Sequence, residues 1–557
     1  MKINKYIFNN QFLVLLLLCT GFFMACSDDD DAQFEKTRLF RPVLNEELYA
    51  EGNSIIVDMG SLKAAQSYSF EVSRDTFATL DYSFKTDSSF VTIDEKLVGE
   101  ELFWNTLYQV RVTAHASDSQ YDSKVSDLGN VRTQRFPTIL NIPNVYDVTD
   151  VAARVSCTPT GAAVTSMQVF AGEDLKLATP LFESVAVGTD EQTNGESFVY
   201  GLEPETDYQI AIYSGEEIRG WVNYSTKVAD IDPNSPNVID LTEDESPSAV
   251  ANAVASATDG AIILVKRGVT YDLPQDDLTK SITIRGAYGF GPQKAKLYTT
   301  GNWNIAENSN IDHINFIDLE IRGEDFSGDY VFNPNTDNVY VRELNFENCE
   351  IGTFRGILRI RGTVEIDNYI INNSVVDSIG GYGIITTDTN PGDPMTAHVN
   401  NIVLSNSTFN KIDTGIQSRN NSESLTIEGC TFANFIVPGG RLLRYRGGDG
   451  NNNITNGISI SNSVFGHSWD QSGSGEYGSI QGIGEGLEGT NISLLNNYST
   501  QNFAFSEGTE IPGFSVGNYS GTQEDLWTNP ELNSFNFKDT GFSGKYTAGD
   551  PRWRAKL

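Results

Sequence analysis

The chain has 557 residues, with 38 Lys and Arg against 74 Asp and Glu, a formal net charge of −36. This excess of negative charge argues against nucleic acid or an anionic membrane surface as a general partner. Five Cys and four His, none at metal-type spacing, argue against both a disulfide scaffold and a structural zinc site.

Lys2 and Lys5 precede an apolar run from Phe12 to Phe23, too short to be a good membrane span, which ends Gly21-Phe-Phe-Met-Ala-Cys26. A small residue before a Cys that closes the apolar region resembles a bacterial lipoprotein signal. The resemblance implies cleavage and lipidation at Cys26, with 1–26 as signal peptide. Residues 27–35 then form an acidic tether opening Ser27-Asp-Asp-Asp-Asp31. In glycan-degrading Gram-negative bacteria, acidic residues here resemble a surface-export signal, implying an outer-membrane, cell-surface location.

Two stretches of alternating short strands follow, 36–135 and 136–228. The second carries Leu202-Glu-Pro-Glu-Thr-Asp-Tyr-Gln-Ile-Ala-Ile-Tyr213, which closely resembles the fibronectin type III signature. Its corner tyrosine is Tyr208, and Tyr108 is its counterpart in the first stretch. Such modules are expected as spacers. Residues 229–246 read as an acidic, Pro-bearing linker. A helix is then expected from Pro247 to Thr258, capped by Ser246, with Val250, Val254 and Ala257 on its inner face. Gly260 ends it, and strands at Ile262–Val265 and Ser281–Gly286 follow.

Between 311 and 503 one short phrase keeps returning at intervals of 23 to 33 residues. Aligned, Asp318, Asn348, Asn373, Asn406, Gly429 and Asn462 share one column. Leu319, Cys349, Ser374, Ser407, Cys430 and Ser463 fill the next, and Ile321, Ile351, Val376, Phe409, Phe432 and Phe465 lie two places on. Apolar and polar residues alternate, so each copy is a strand that buries its inner face only by stacking on its neighbours. The whole resembles a pectate-lyase-like right-handed parallel β-helix over 247–503, asparagine ladder included, with the preceding helix as its N-terminal cap. The expected fold is therefore all-β: two fibronectin type III-like sandwiches followed by that helix. The tail 504–557 loses the repeat, and its Gly549-Asp-Pro-Arg-Trp553 resembles the end of surface proteins from polysaccharide-utilisation systems. It is expected to fold over the last coil.

Chemistry is sought on a second strand of each coil. Gly356-Ile-Leu-Arg-Ile-Arg-Gly362 matches Arg441-Leu-Leu-Arg-Tyr-Arg-Gly447, with two rungs between them. Alternation places Arg359 and Arg361 on one face, and Arg444 and Arg446 likewise, while Leu358, Ile360, Leu443 and Tyr445 turn inward. Arg355 and Arg419 are candidates to join this stripe. Residues 355–446 hold eight basic and eight acidic residues, unlike the acidic remainder. Two readings stay open. In one, Arg359, Arg361, Arg419, Arg444 and Arg446 bind an acidic polysaccharide, since guanidinium forks grip carboxylates bidentately. In the other they pair with acids on neighbouring rungs. The pectate-lyase-like resemblance implies pectin-like uronic-acid chains as ligand, and β-elimination as the alternative activity. Calcium would then be held by Asp388, Asp393 and Asp449. Tyr382, Tyr445 and Trp469 are candidates to stack on sugars. The Asn-Thr-Asp, Asp-Asp and Gly-His-Gly motifs of the related hydrolases are missing. A surface adhesin or scaffold, working with other proteins of a glycan-uptake system, is the third reading.

Overall fold

In the computed structural model the described residues are 37–392, 396–448 and 450–555. The signal peptide with Cys26, the tether, Asp393 and Asp449 lie outside them. Among the described residues no helix is long and apolar enough to cross a membrane.

The first module pairs Tyr49–Glu51, Ser54–Asp58 and Phe90–Ile93 in one antiparallel sheet. Tyr82–Thr86, Ser67–Ser73, Leu107–His115 and Ser126–Arg132 form the other. Alternation along Leu107–His115 buries Tyr108, Val110, Val112 and Ala114. The second module repeats the plan with Val185–Ala186, Ser166–Ala171, Asp207–Ser214 and Glu217–Ser225 facing Ala152–Ser156 and Glu196–Tyr200. In both, the corner tyrosine reaches five residues back. The Tyr108 hydroxyl accepts from Phe103 N–H at 3.0 Å, and that of Tyr208 accepts from Glu203 N–H at 2.8 Å. A buried phenol finds its partner in this way without leaving the core.

From residue 238 to 499, 22 strands join one sheet whose rungs are all parallel. Each strand pairs with the matching strand of the next turn. One column runs Ile282, Ile314, Leu344, Tyr369, Ile402, Leu425, Ile458, Ile492. A second runs Ile321, Ile351, Val376, Phe409, Phe432, Phe465, in the order the repeat requires. Phe432 stacks between Phe409 and Phe465 at 5.2 and 4.5 Å.

The asparagine column sits where the backbone turns. Asp318, Asn348, Asn373, Asn406, Gly429 and Asn462 all have φ between 48 and 63°. Asn tolerates this left-handed region best among side-chain-bearing residues, and Gly takes it freely. Their amides also link turns, as in Asn348 Nδ2 to Asp318 Oδ1 at 3.0 Å. In the next column Ser374 and Ser407 hydroxyls accept from the N–H groups of Cys349 and Ser374 at 2.9 and 3.0 Å. Cys349 is buried there, and burial pushes its thiol up to about 12.

Three expectations shift. The segment read as linker contains Val238–Leu241, which pairs in parallel with Ile262–Val265 and so supplies the first rung. The capping helix is Ala249–Ser256 with Ser248, not Ser246, at its N-cap; Val250 and Val254 are buried. It covers sheet edge that would otherwise be open. The C-terminal segment does more than close the last coil. It runs back along the flank, where Gly549 N–H reaches Asn462 O and Asp550 accepts from Thr408 Oγ1 at 2.7 Å. Farther along, Trp553 Nε1 donates to Thr408 Oγ1, and Arg552 donates to Asn373 O at 2.6 Å.

Candidate functional site

The site is built on the strands Glu350–Asn372, Val375–Thr387, Ile416–Ser418 and Arg441–Tyr445. Leu358, Ile385, Ile416 and Leu443 form one inward column, all buried. One residue on, Arg359, Thr386, Gln417 and Arg444 share a rung position on the outer face. Two residues further, beyond Ile360–Thr387 and Ser418–Tyr445, come Arg361, Asp388, Arg419 and Arg446. The register thus puts Arg419 in the stripe, between Asp388 and Arg446. Successive rungs lie about 4.8 Å apart, so Arg359 and Arg444 are separated by about 14 Å.

Asp388 is the hub. Arg359 Nη2 donates to its Oδ2 at 2.6 Å, and Arg419 Nε and Arg446 Nη2 lie 3.4 and 3.5 Å from its Oδ1. Burial works against its ionisation, but the hydrogen bond and charge of Arg359, followed by Arg419, hold the carboxyl below its ordinary range. Three guanidiniums therefore share one carboxylate. Arg361 makes no ion pair among the described residues; its Nη2 donates to Asn333 O and Oδ1 at 3.2 and 3.1 Å. The Nε atoms of Arg359, Arg361 and Arg446 are buried without a partner among the described residues. Burial, then the nearby Arg359, lowers the Arg361 pKa; burial, then Arg419 and Arg444, lowers that of Arg446. Among the described residues, Arg444 alone in the stripe has an acid of its own, Glu485 at 2.9 Å. Among those residues the pairing reading thus describes Arg444 and accounts for one acid among the other arginines.

Tyr382 closes one end of the stripe. Arg355 and Arg359 lie over its ring at 4.6 and 4.3 Å, and Tyr330 meets it edge-on at 5.6 Å. Gly383, at φ +64°, allows the chain to turn there; a Cβ would lie 2.2 Å from Thr414 O. Tyr382 is thus committed to cations, a role the sequence alone did not reveal. Tyr445 is fully buried with its hydroxyl 2.9 Å from Ser422 Oγ, which removes it as a sugar platform. Trp469 meets Phe326 edge-on at 5.7 Å.

For calcium, the one described candidate ligand, Asp388, faces guanidiniums, a field that disfavours a divalent cation. Among the described residues no group of three or more His, Cys, Asp or Glu is placed to hold a metal.

Residues 269–412 match a family described as a domain of unknown function, DUF4957. That span takes in the first turns, Arg359, Arg361 and Asp388, and stops short of Arg419, Arg444 and Arg446. No curated protein matches the chain. Among solved structures it is similar to the FN1–FN3 domains of chicken CNTN1, at 13% identity over 34% of this chain and 68% of that one, TM-score 0.16. A two-domain fibronectin type III segment of chicken tenascin is 18% identical over 34% of this chain and 99% of that one, TM-score 0.15.

Proposed function

We propose that the chain is a cell-surface lipoprotein, anchored to the outer membrane through Cys26, that binds anionic polysaccharide on its arginine face. In this reading two fibronectin type III-like modules act as spacers. They carry a pectate-lyase-like right-handed β-helix that captures uronic-acid chains for other proteins of a glycan-uptake system. The observation that carries it is the count of charge at Asp388: three guanidiniums around one carboxylate, with Arg361 beside them, in a chain of net charge −36. Like charges gathered on one half-buried face are a cost that a bound polyanion relieves.

A second reading, β-elimination of the same polymer, rests on the grouping of Arg359, Arg361, Arg444 and Arg446 on one face, where the buried Nε atoms of Arg361 and Arg446 have no partner among the described residues. In it one arginine neutralises the uronate carboxylate and another receives the α-proton.

One experiment separates the two. The chain from Ala32 onward is run through gels containing polygalacturonate, with calcium or with a chelator, and ultraviolet absorbance of unsaturated uronate is followed in parallel. Retardation without absorbance, weakened by salt and by Arg446→Ala, supports capture. Absorbance that is lost in Arg361→Ala supports the lyase. Neither signal, across a panel of acidic glycans, sinks both and leaves a scaffold with paired arginines.

A further inference from the structure

A second cleft lies beside the coils, outside the arginine columns. The segment from Gly466 to Ser479, between the strands Val464–Phe465 and Gln481–Glu485, is long enough to fold back on the preceding turn. Trp469 N–H donates to Ile436 O at 2.9 Å, and Gly439 N–H donates to Ser479 O at 2.8 Å, so both ends of the loop are pinned. Gly478 closes against Pro438, where an added Cβ would lie 2.7 Å from the proline Cβ. Between these pins is a cleft of about 470 Å³ lined by Val437, Pro438, Trp469, Gln471, Glu476 and Tyr477, with Asp470 and two serines at its side.

Its two aromatic rings are fixed from behind. Tyr477 is 45% exposed, yet its ring stacks on His467 at 3.5 Å, and His467 Nε2 is held 2.9 Å from Glu524. Phe326 meets the Trp469 ring edge-on at 82°. Asp470 holds the loop in shape by accepting from Ser472 Oγ, Ser474 Oγ and Gly475 N–H. Rings held in place before a ligand arrives lose little freedom when it binds.

The lining contains no Lys or Arg and has two carboxylates. Its field is therefore opposite to that of the arginine face, and it repels an anion. Flat apolar rings next to carboxylate and amide acceptors fit a molecule with C–H faces and outward hydroxyl donors. We propose that this cleft is a binding site for a neutral pyranose unit, distinct from the arginine columns. Trp469 and Tyr477 contact the sugar's C–H face, and Glu476 and Gln471 accept its hydroxyls.

The test uses affinity electrophoresis of the chain from Ala32 in gels containing soluble β-1,4-galactan, xyloglucan or dextran. At least one neutral polymer is expected to retard the protein. Trp469→Ala and Tyr477→Ala should each weaken that retardation at least tenfold, and Arg446→Ala should leave it unchanged. Trp469→Phe keeps an aromatic face and should retain part of the binding, which separates loss of contact from a collapsed loop. The proposal is overturned if none of the three polymers retards the protein, if retardation survives both alanine variants, or if Arg446→Ala abolishes it equally. The last outcome assigns neutral-glycan binding to the arginine face.

Discussion

The Arg359 guanidinium donates to Asp388 across one rung at 2.6 Å, and the same carboxylate serves Arg419 and Arg446 from the turns beyond. One acid thus holds apart charges that would otherwise repel. Asp388→Asn keeps a hydrogen-bond acceptor but removes the charge. We expect it to destabilise the fold by about 1–2 kcal/mol, between the exposed and buried limits for ion pairs. Binding of polygalacturonate at low salt should tighten in the same variant. Urea unfolding and affinity electrophoresis read the two effects. Since the folded carboxyl lies below its ordinary range, its contribution is complete above the unfolded value and is lost as pH falls through the folded one.

The arginines should not contribute equally to anion binding. Arg444 is already engaged by Glu485, whereas Arg361 and Arg446 have buried Nε–H groups without partners among the described residues. Replacing Arg361 or Arg446 by Ala is expected to cost about 1.5–3 kcal/mol of binding, roughly ten- to a hundredfold in Kd. Arg444→Ala should cost less, because Glu485 already neutralises much of the Arg444 charge and leaves it less free to engage the ligand. Equal losses in all three variants would contradict this ordering.

The turn column gives a prediction about the fold itself. Asn406 has φ +49°, and its Nδ2 donates to Asn372 Oδ1 at 3.1 Å. Asn406→Ala loses that bond and strains the backbone, an expected loss of about 2 kcal/mol. Asn406→Gly loses the bond but not the conformation, so it should cost about half as much. Thermal unfolding of the two variants is the measurement. Gly429, which fills the same column, shows that the turn tolerates the smaller residue.

These comparisons mark what could be read from the chain. The phrase from Ile311 to Phe465 disclosed its own register, because a stack repeats like residues at like positions, and the column from Ile321 to Phe465 is paired in that order. The corner tyrosines were legible for a similar reason: the motif and its hydrogen bond span only five residues. The inward set Leu358, Ile360, Leu443 and Tyr445 followed from alternation alone. What escaped has no period. Arg419 follows a turn whose strand is only three residues long, so its register rests on pairing with Tyr445's strand and not on a matching phrase. Arg552 meets Asn373 across 179 residues of sequence, and no local pattern encodes such a contact. The cleft at Trp469 was missed because its loop is an insertion between rungs, and Tyr445, equally plausible as a sugar platform, faces the core.

The C-terminal strap should respond to pH through Asp550. Its buried carboxyl accepts from Thr408 Oγ1, its backbone N–H donates to Thr431 Oγ1, and burial raises its pKa despite the proximity of Arg552 and Arg554. In the window between the unfolded and the raised folded value, the native state binds more protons than the unfolded state. Stability contributed at this position is therefore highest in acid and declines as pH rises through that window. Asp377 and Asp413 are also raised by burial and slope in the same direction, so wild type alone cannot isolate the effect. Asp550→Asn cannot ionise, and the stability of wild type minus that of the variant reports this one group. The difference is expected to favour wild type most at low pH and to shrink toward neutrality. A difference that stays flat, or grows with pH, would mean that Asp550 is held ionised by Arg552 and Arg554. The strap would then be fastened by charge instead of by a buried, protonated acid.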